Sequence, residues 1–400
     1  MEQFQSMVVC EPLCKGDEHT GFNAAMLLSL RCAYPETKIL FLSEESHWRI
    51  LRGMLEANGM RQQAETLTWR AIVLPQRNLS NKWRVPYDWR VVKTVYQQAA
   101  ELGSPLVLFL SASSATLYSI KFKCRGKTQS WIVMHGAVDD LRKACFRAYK
   151  PFYYGNALLL GNKSDIHYLV LGRYIADWLP RFASDLASYV VAIDHPGIFL
   201  TEREKDSNEL PSLSRPCFGS IGVVAVWKGS ESFLRLAESV YRRLGPGRAS
   251  FHFIGAMIDN ELGKRIAASP SVEPVGEVCS GSFMPREQLD RAIQSIDYAV
   301  FLYPTDSYVL KASGAIIDAF RFAKPILAIR CVMFEYYFSM FGDIGYLCED
   351  EAELQKMVER LILAPEPDRY QQQRETMLRQ RVHFGVEASA NRLKILLNTK

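Results

Sequence analysis

The 400-residue sequence has no apolar run of about 18 residues, and no basic-then-apolar leader precedes Met7-Val8-Val9. A membrane-spanning helix and a secretory signal are therefore not expected, and the chain reads as a protein of the reducing cytoplasm. Its nine cysteines include no Cys-x-x-Cys pair; Cys10 and Cys14 stand four apart, with no second pair at zinc-ligand spacing. Free thiols buried as small apolar groups are the expectation. Low-complexity tracts and short internal repeats are missing, which sets aside repeat architectures. Charge of one sign is also scarce: 48 basic and 43 acidic residues leave a formal +5, and the cations are spread along the chain. That spread argues against nucleic acid as a partner. The local cluster Lys121, Lys123, Arg125 and Lys127 reads either as a solvated loop or as a contact for lipid headgroups or phosphate. No Asp-x-Asp stands at a strand end, so no catalytic Mn²⁺ or Mg²⁺ is expected.

What is present is an ordinary globular composition, 48% hydrophobic and 23% charged, in a chain long enough for two cores. Short apolar runs at 6–10, 38–43, 106–110, 131–134, 157–160 and 189–193 alternate with helical patterns at 22–31, 48–57, 91–102 and 138–149. Strands apolar throughout are buried on both faces by crossover helices, so the first half reads as a doubly wound α/β domain over 1–200. Residues 201–216 are charged, carry two prolines and lack an apolar period, which marks a linker. The alternation then restarts. Strands are expected at 219–224, 250–254, 271–274, 298–302, 325–329 and 345–348. Helices are expected at 231–244, 286–293, 313–323, 351–363 and 368–381. This second α/β domain spans 217–380, and the chain ends in a helix over 381–400 that is expected to pack back toward the first domain. Two doubly wound parallel-sheet domains imply a cleft, faced by the C-terminal ends of both sets of strands.

Four stretches carry chemistry. In 297–330 a buried strand ends at Tyr303-Pro304, and Ser313-Gly314-Ala315 opens an apolar helix. Free N–H groups and the dipole at such a start favour phosphate, and Asp318 one turn inside offers a carboxylate to ribose hydroxyls. The plainer alternative is that Ser313 caps the helix and Asp318 complements its dipole. In 219–233 a strand ends before Lys228-Gly229, where an ammonium can reach a diphosphate or simply sit exposed at a helix start. In 14–23 Gly16 and Gly21 bracket Asp17, Glu18 and His19, and Glu18 or His19 is a candidate general base unless the loop only caps a helix. In 131–141 His135-Gly136 follows a buried strand, with Asp139 and Asp140 as orienting groups, bases or helix-start charges. His195 ends the last strand of the first half and either lines the cleft or packs at the boundary. His47, His167, His252 and His383 have no converging partners in the sequence and receive no role.

Together these stretches resemble the GT-B glycosyltransferases, particularly family four. That family carries Gly-Arg-x4-Lys-Gly on the donor diphosphate. Here Gly222 and Lys228-Gly229 keep the spacing, with Val223 at the Arg position. The family's Glu-x7-Glu ends in Glu-Ala-x3-Gly-x-Pro. Asp318-Ala319, Ala323 and Pro325 match that ending, while Leu310 replaces the first Glu. Gly255 in Phe253-Ile254-Gly255 is similar to the glycine near the phosphates, and Val278 to the segment flanking the base. His135 resembles the N-domain histidine, and Glu18-His19 the acceptor-side loop. The resemblance implies transfer of a sugar from a UDP- or GDP-sugar donor to a hydroxyl of a glycan or lipid-linked glycan, without a metal or other cofactor. Lys228, Lys311, Ser313, Gly314 and Ala315 would hold the diphosphate and Asp318 the ribose. Glu18, His19, His135 and Asp139 would stand on the acceptor side. An epimerase of the same fold and a degenerate scaffold are the alternatives, and a peripheral membrane contact is left open.

Overall fold

The computed structural model describes residues 4–75, 79–124, 128–143, 152–199, 212–275 and 284–399. They form two units. The first comprises Met1–Ile198, the short segment Leu310–Ala312 and the terminal His383–Lys400; the second comprises Phe199–Val309 and Ser313–Val382.

The first unit is built on β1 (Ser6–Cys10), β2 (Lys38–Ser43), β3 (Thr68–Ala71), β4 (Leu106–Phe109), β5 (Gln129–Met134), β6 (Ile166–Leu171) and β7 (Val190–Ile193). All pairings are parallel, in the order β3-β2-β1-β4-β5-β6-β7. The order reverses between β1 and β4, the switch point at which open α/β sheets take ligands. Strand β1 is buried along its whole length. Helix Thr20–Ala33 is apolar on nearly every side because the terminal helix Val386–Thr399 covers the face turned from the sheet, through Ala390, Leu393 and Leu397. Each such leucine contributes about 1.5–3 kcal/mol by leaving water.

Three expectations for this half change. Residues 157–160 were expected as a strand, but 157–159 belong to helix Tyr154–Leu159 and Leu160 caps its end, since a short apolar run reads the same in a buried helix. The helix expected over 138–149 is a 3₁₀ segment, Gly136–Lys143, up to the end of the described residues there. Strands β3 and β6 were not anticipated: β3 is a short exposed edge, and β6 carries His167 and Tyr168 within its buried run. Of the basic cluster, Lys121 is neither solvated nor free for phosphate. It is buried and donates to the carbonyls of Ala157, Leu158 and Leu160 at 2.6, 3.0 and 2.6 Å, closing the end of helix Tyr154–Leu159. Burial pushes its ammonium down to about 7. Lys123 lies 4.4 Å over the Trp89 ring, and Arg125 and Lys127 fall outside the described residues.

The second unit contains β8 (Cys217–Ile221), β9 (Ser250–Ile254), β10 (Glu273–Val275), β11 (Tyr298–Phe301), β12 (Ile326–Ile329) and β13 (Gly345–Cys348). They too are parallel, ordered β10-β9-β8-β11-β12-β13, with the switch between β8 and β11. Phe218, Phe233, Phe253, Tyr298 and Tyr370 centre its core. Helices Asn260–Ala268 and Val332–Phe341 were not anticipated; the others fall within a few residues of expectation. Of residues 201–216, read as a linker, 201–211 lie outside the described residues, and Leu213 joins the core of this unit.

Candidate functional site

At the switch point of the second unit, three strand ends converge through glycines. Gly222 follows β8 with φ +105° and Gly255 follows β9 with φ +140°. A Cβ on Gly255 would lie 2.1 Å from the Gly222 carbonyl oxygen, so only glycine allows this approach. Gly229 precedes helix Ser230–Leu244 at φ +76°, and its Cβ would meet the Leu302 carbonyl oxygen at 1.8 Å. The start of that helix is thereby pressed against the end of β11. The Ser230 hydroxyl accepts from the Ala225 N–H at 3.0 Å and fixes the turn between.

Lys228 closes this turn. Its ammonium lies 5.7 Å from both the Trp227 and the Tyr303 ring centroids. A Cβ placed on Gly222 would be 3.3 Å from Lys228 Nζ and 3.6 Å from Ala315 Cβ. The ammonium, the bare backbone of Gly222 and the first turn of helix Gly314–Arg321 therefore border one small space. Gly314 at that helix start is exposed. Ser313 stands at the N-cap position but makes no capping hydrogen bond; its buried hydroxyl pairs instead with the Tyr303 hydroxyl at 3.1 Å. The expected alternative of an ordinary serine cap does not hold, because Tyr303, stacked 4.2 Å from Tyr308, presents a closer partner. An anion at this helix start would meet N–H groups that no Ser313 oxygen occupies.

Asp318 lies a turn inside the helix and accepts from Arg286 Nη2 at 2.6 Å. Arg286 also holds Asp290 at 2.7 Å, and Arg321 reaches Asp290 at 3.0 Å. Asp318 is thus one corner of a four-residue ion network, which the sequence did not reveal, since Arg286 is 32 residues away. Val278 falls outside the described residues.

Lys311 belongs to the first unit. Its ammonium points at Asp139 Oδ2, 4.0 Å away, and its carbonyl accepts from the Tyr174 hydroxyl at 2.7 Å. Asp139 also accepts from the Leu310 N–H at 3.3 Å and pairs with Arg142 at 3.3 Å. This carboxylate anchors the 310–312 segment, and two cations offset its charge.

At the switch point of the first unit stands Glu11, fully buried directly after β1. Its carboxylate accepts from the Leu13 and Cys14 N–H groups at 2.9 and 3.2 Å, from Asn23 Nδ2 at 3.2 Å and from the Ser111 hydroxyl. Asn23 Nδ2 also meets His47 Nε2 at 2.9 Å, and His47 Nδ1 donates to the Gly16 carbonyl at 2.7 Å. The network holds both ends of the loop that carries Glu18 and His19. A charged residue flush against a fully buried strand was the available signal for Glu11; His47 gave none.

Within this loop Glu18 accepts from the Lys15 N–H at 2.9 Å. His19 is exposed, at φ +53°, a region strained for a residue with a Cβ. Its ring meets that of His135 edge-on at 4.9 Å, and Phe22 touches His135 at 4.9 Å and His195 at 5.1 Å. Glu18-His19, His135 and His195 are therefore gathered at one end of the sheet. His135 Nε2 lies 2.8 Å from the Leu110 carbonyl, which can only accept, so Nε2 carries the proton and Nδ1 the lone pair. Burial, reinforced by His19 and opposed by the Leu110 bond, pushes the imidazolium down to about 3. His135 is neutral at pH 7.

No protein-family model matches the chain, and no curated protein does. Its fold is that of the GT-B glycosyltransferases, two Rossmann-like parallel-sheet domains. Among solved structures, Anabaena HepE in complex with UDP and glucose is similar with a TM-score of 0.66, 11% identity and coverage of 99% of this chain and 100% of that one. Sucrose-phosphate synthase from Thermosynechococcus elongatus is similar with 0.66, 13% identity and 98% coverage of both chains. WaaG, a glycosyltransferase involved in lipopolysaccharide biosynthesis, is similar with 0.62, 11% identity and coverage of 98% and 100%.

Proposed function

We propose that the chain transfers a sugar from a nucleoside-diphosphate sugar to a hydroxyl of a glycan or lipid-linked glycan acceptor. The observation that carries this reading is the convergence of Lys228, Gly222 and the exposed start of helix Gly314–Arg321 around one space. An ammonium, bare glycine backbone and helix N–H groups are what a departing diphosphate requires. They supply its charge balance from the chain itself, so the transfer proceeds without a divalent metal. Asp318, held by Arg286, would accept from a ribose hydroxyl through its other oxygen. On the acceptor side His135 is too weak a base to take a proton, but its Nδ1 lone pair can accept a hydrogen bond from the attacking hydroxyl and aim it. Exposed His19, beside it, and Glu18 are the groups that would remove the proton. The reading agrees with relatives in fold, one of which was solved with UDP and glucose.

The test is incubation of purified protein with UDP- and GDP-sugars, with and without glycan acceptors and with EDTA present. Acceptor-dependent nucleotide release that survives EDTA is expected. Conversion of the donor to an epimer without acceptor would favour the epimerase reading, which a similar Listeria monocytogenes structure described as a putative UDP-N-acetylglucosamine 2-epimerase keeps in view (TM-score 0.55, 11% identity). Binding of nucleotide with no turnover of any donor would leave only a scaffold.

A further inference from the structure

The first unit carries an exposed face that the transferase reading does not use. Helix Asn81–Glu101 packs on helix Ser114–Lys123 and leaves Lys82, Trp83, Pro86, Tyr87, Arg90 and Lys93 exposed. At 3.6 residues per turn these fall in one continuous arc of the helix surface. Trp83 is 62% exposed and Phe122, at the end of the second helix, 60%. Trp89 joins the two helices: its ring lies 5.0 Å from Phe122 and takes Lys123 over its face at 4.4 Å, while Lys82 lies 5.2 Å from the Trp83 ring. The acids of these helices do not offset this charge. Asp88 is buried and engaged by Ser113, Thr116 and Arg84, Glu101 stands at the far end, and the second helix has no acid.

We infer that this face docks the protein on an anionic lipid surface. Aromatic rings on stems of cationic neighbours suit a headgroup boundary, where rings enter the acyl edge and ammonium and guanidinium groups meet lipid phosphates. Phenylalanine exposed to this degree suits a lipid boundary better than a nucleic-acid backbone, which would favour the cations alone. No helix among the described residues is long and apolar enough to cross a membrane, so the contact is interfacial.

Flotation of the full chain with vesicles tests this. Vesicles with about one third phosphatidylglycerol should carry the protein, and pure phosphatidylcholine vesicles should not. Lys82→Gln with Arg90→Gln should weaken partition about 25-fold, from about 5-fold for each cation near the surface. Trp83→Ala with Phe122→Ala should weaken it about 10-fold in high salt, where screened charge cannot compensate for the lost rings. Each variant should keep the parent's melting temperature and nucleotide affinity, which separates lost docking from lost fold. Equal binding to neutral vesicles, unchanged partition of the aromatic variant, or tighter binding to a single-stranded oligonucleotide would overturn the inference. The vesicle arms need no donor, so failure of the transferase reading leaves this result standing.

Discussion

Replacing Gly255 by alanine probes the backbone contact on which the phosphate space depends. The new methyl would sit 2.1 Å from the Gly222 carbonyl oxygen and 2.6 Å from its carbon, against a floor of 3.0 Å for real contacts. Strands β8 and β9 must part there, straining the Gly222 N–H bond to the Ile254 carbonyl, now 2.8 Å. The positive φ adds its own cost of about 1–2 kcal/mol. Gly245→Ala is the control: φ is +86° but nothing lies within 4 Å, so only the conformational cost applies. Overpacking should cost Gly255→Ala about 2 kcal/mol more than the control. For a unit of this size that is a further drop of roughly 4–8 °C in melting temperature by calorimetry. Gly255→Ala should also weaken nucleotide binding, because the displaced Gly222 backbone borders the space under Lys228. If the two variants melt together, the close approach of the strand ends is not a constraint on this fold.

Two further outcomes follow from buried titratable groups. Lys121→Met strips three carbonyls of their donor and should cost about 3 kcal/mol at pH 6. Because the folded ammonium is lowered to about 7 while the unfolded one keeps its ordinary value, the unfolded chain binds more protons above pH 7. Parent stability should therefore gain on the variant's as pH rises from 7 to 10; parallel profiles in denaturant titrations would contradict the burial argument. For His135, lowered to about 3, the window is pH 3 to 6.5: the unfolded ring takes a proton the folded ring refuses, so its contribution is lost as pH falls. Its ring resonances in an NMR titration should stay flat from pH 8 to 5, and a midpoint near 6.5 would refute the assignment of a neutral imidazole.

The alternation of buried runs and amphipathic stretches was enough to read all the strands of the second sheet and five of the seven in the first, because a strand covered on both faces leaves a continuous apolar run; β3, an exposed edge, and β6, which carries His167, leave none. Where burial produces the same signature in two ways, as at Ala157–Leu160, reading failed: a helix capped by a lysine 39 residues from the last of its carbonyls looks locally like a strand. The spacing from Gly222 to Lys228-Gly229 was legible because backbone geometry demands glycine at both ends of that turn. The partners of Asp318 and Ser313 were not. Arg286 and Tyr303 reach them through tertiary packing, and a local reading assigns a helix-start serine to its own helix. Glu11 was overlooked because its near donors are two loop N–H groups and an amide that the sequence does not aim at it, and its fourth donor, Ser111, lies 100 residues off. Ala323 shows a different limit: it replaces a glycine of the resembled motif yet still adopts φ +47°, a conformation the sequence does not announce.

The most direct test of the phosphate space is calorimetric titration of the parent and Lys228→Ala with UDP, UMP, GDP and GMP. A compact ammonium contributes to a phosphate through a charge-assisted hydrogen bond of about 1.5–3 kcal/mol. The parent should bind one diphosphate more tightly than its monophosphate, and the variant should lose roughly 10- to 100-fold for the diphosphate while changing little for the monophosphate. Equal diphosphate affinity in parent and variant, or no binding of any nucleotide, would contradict the account.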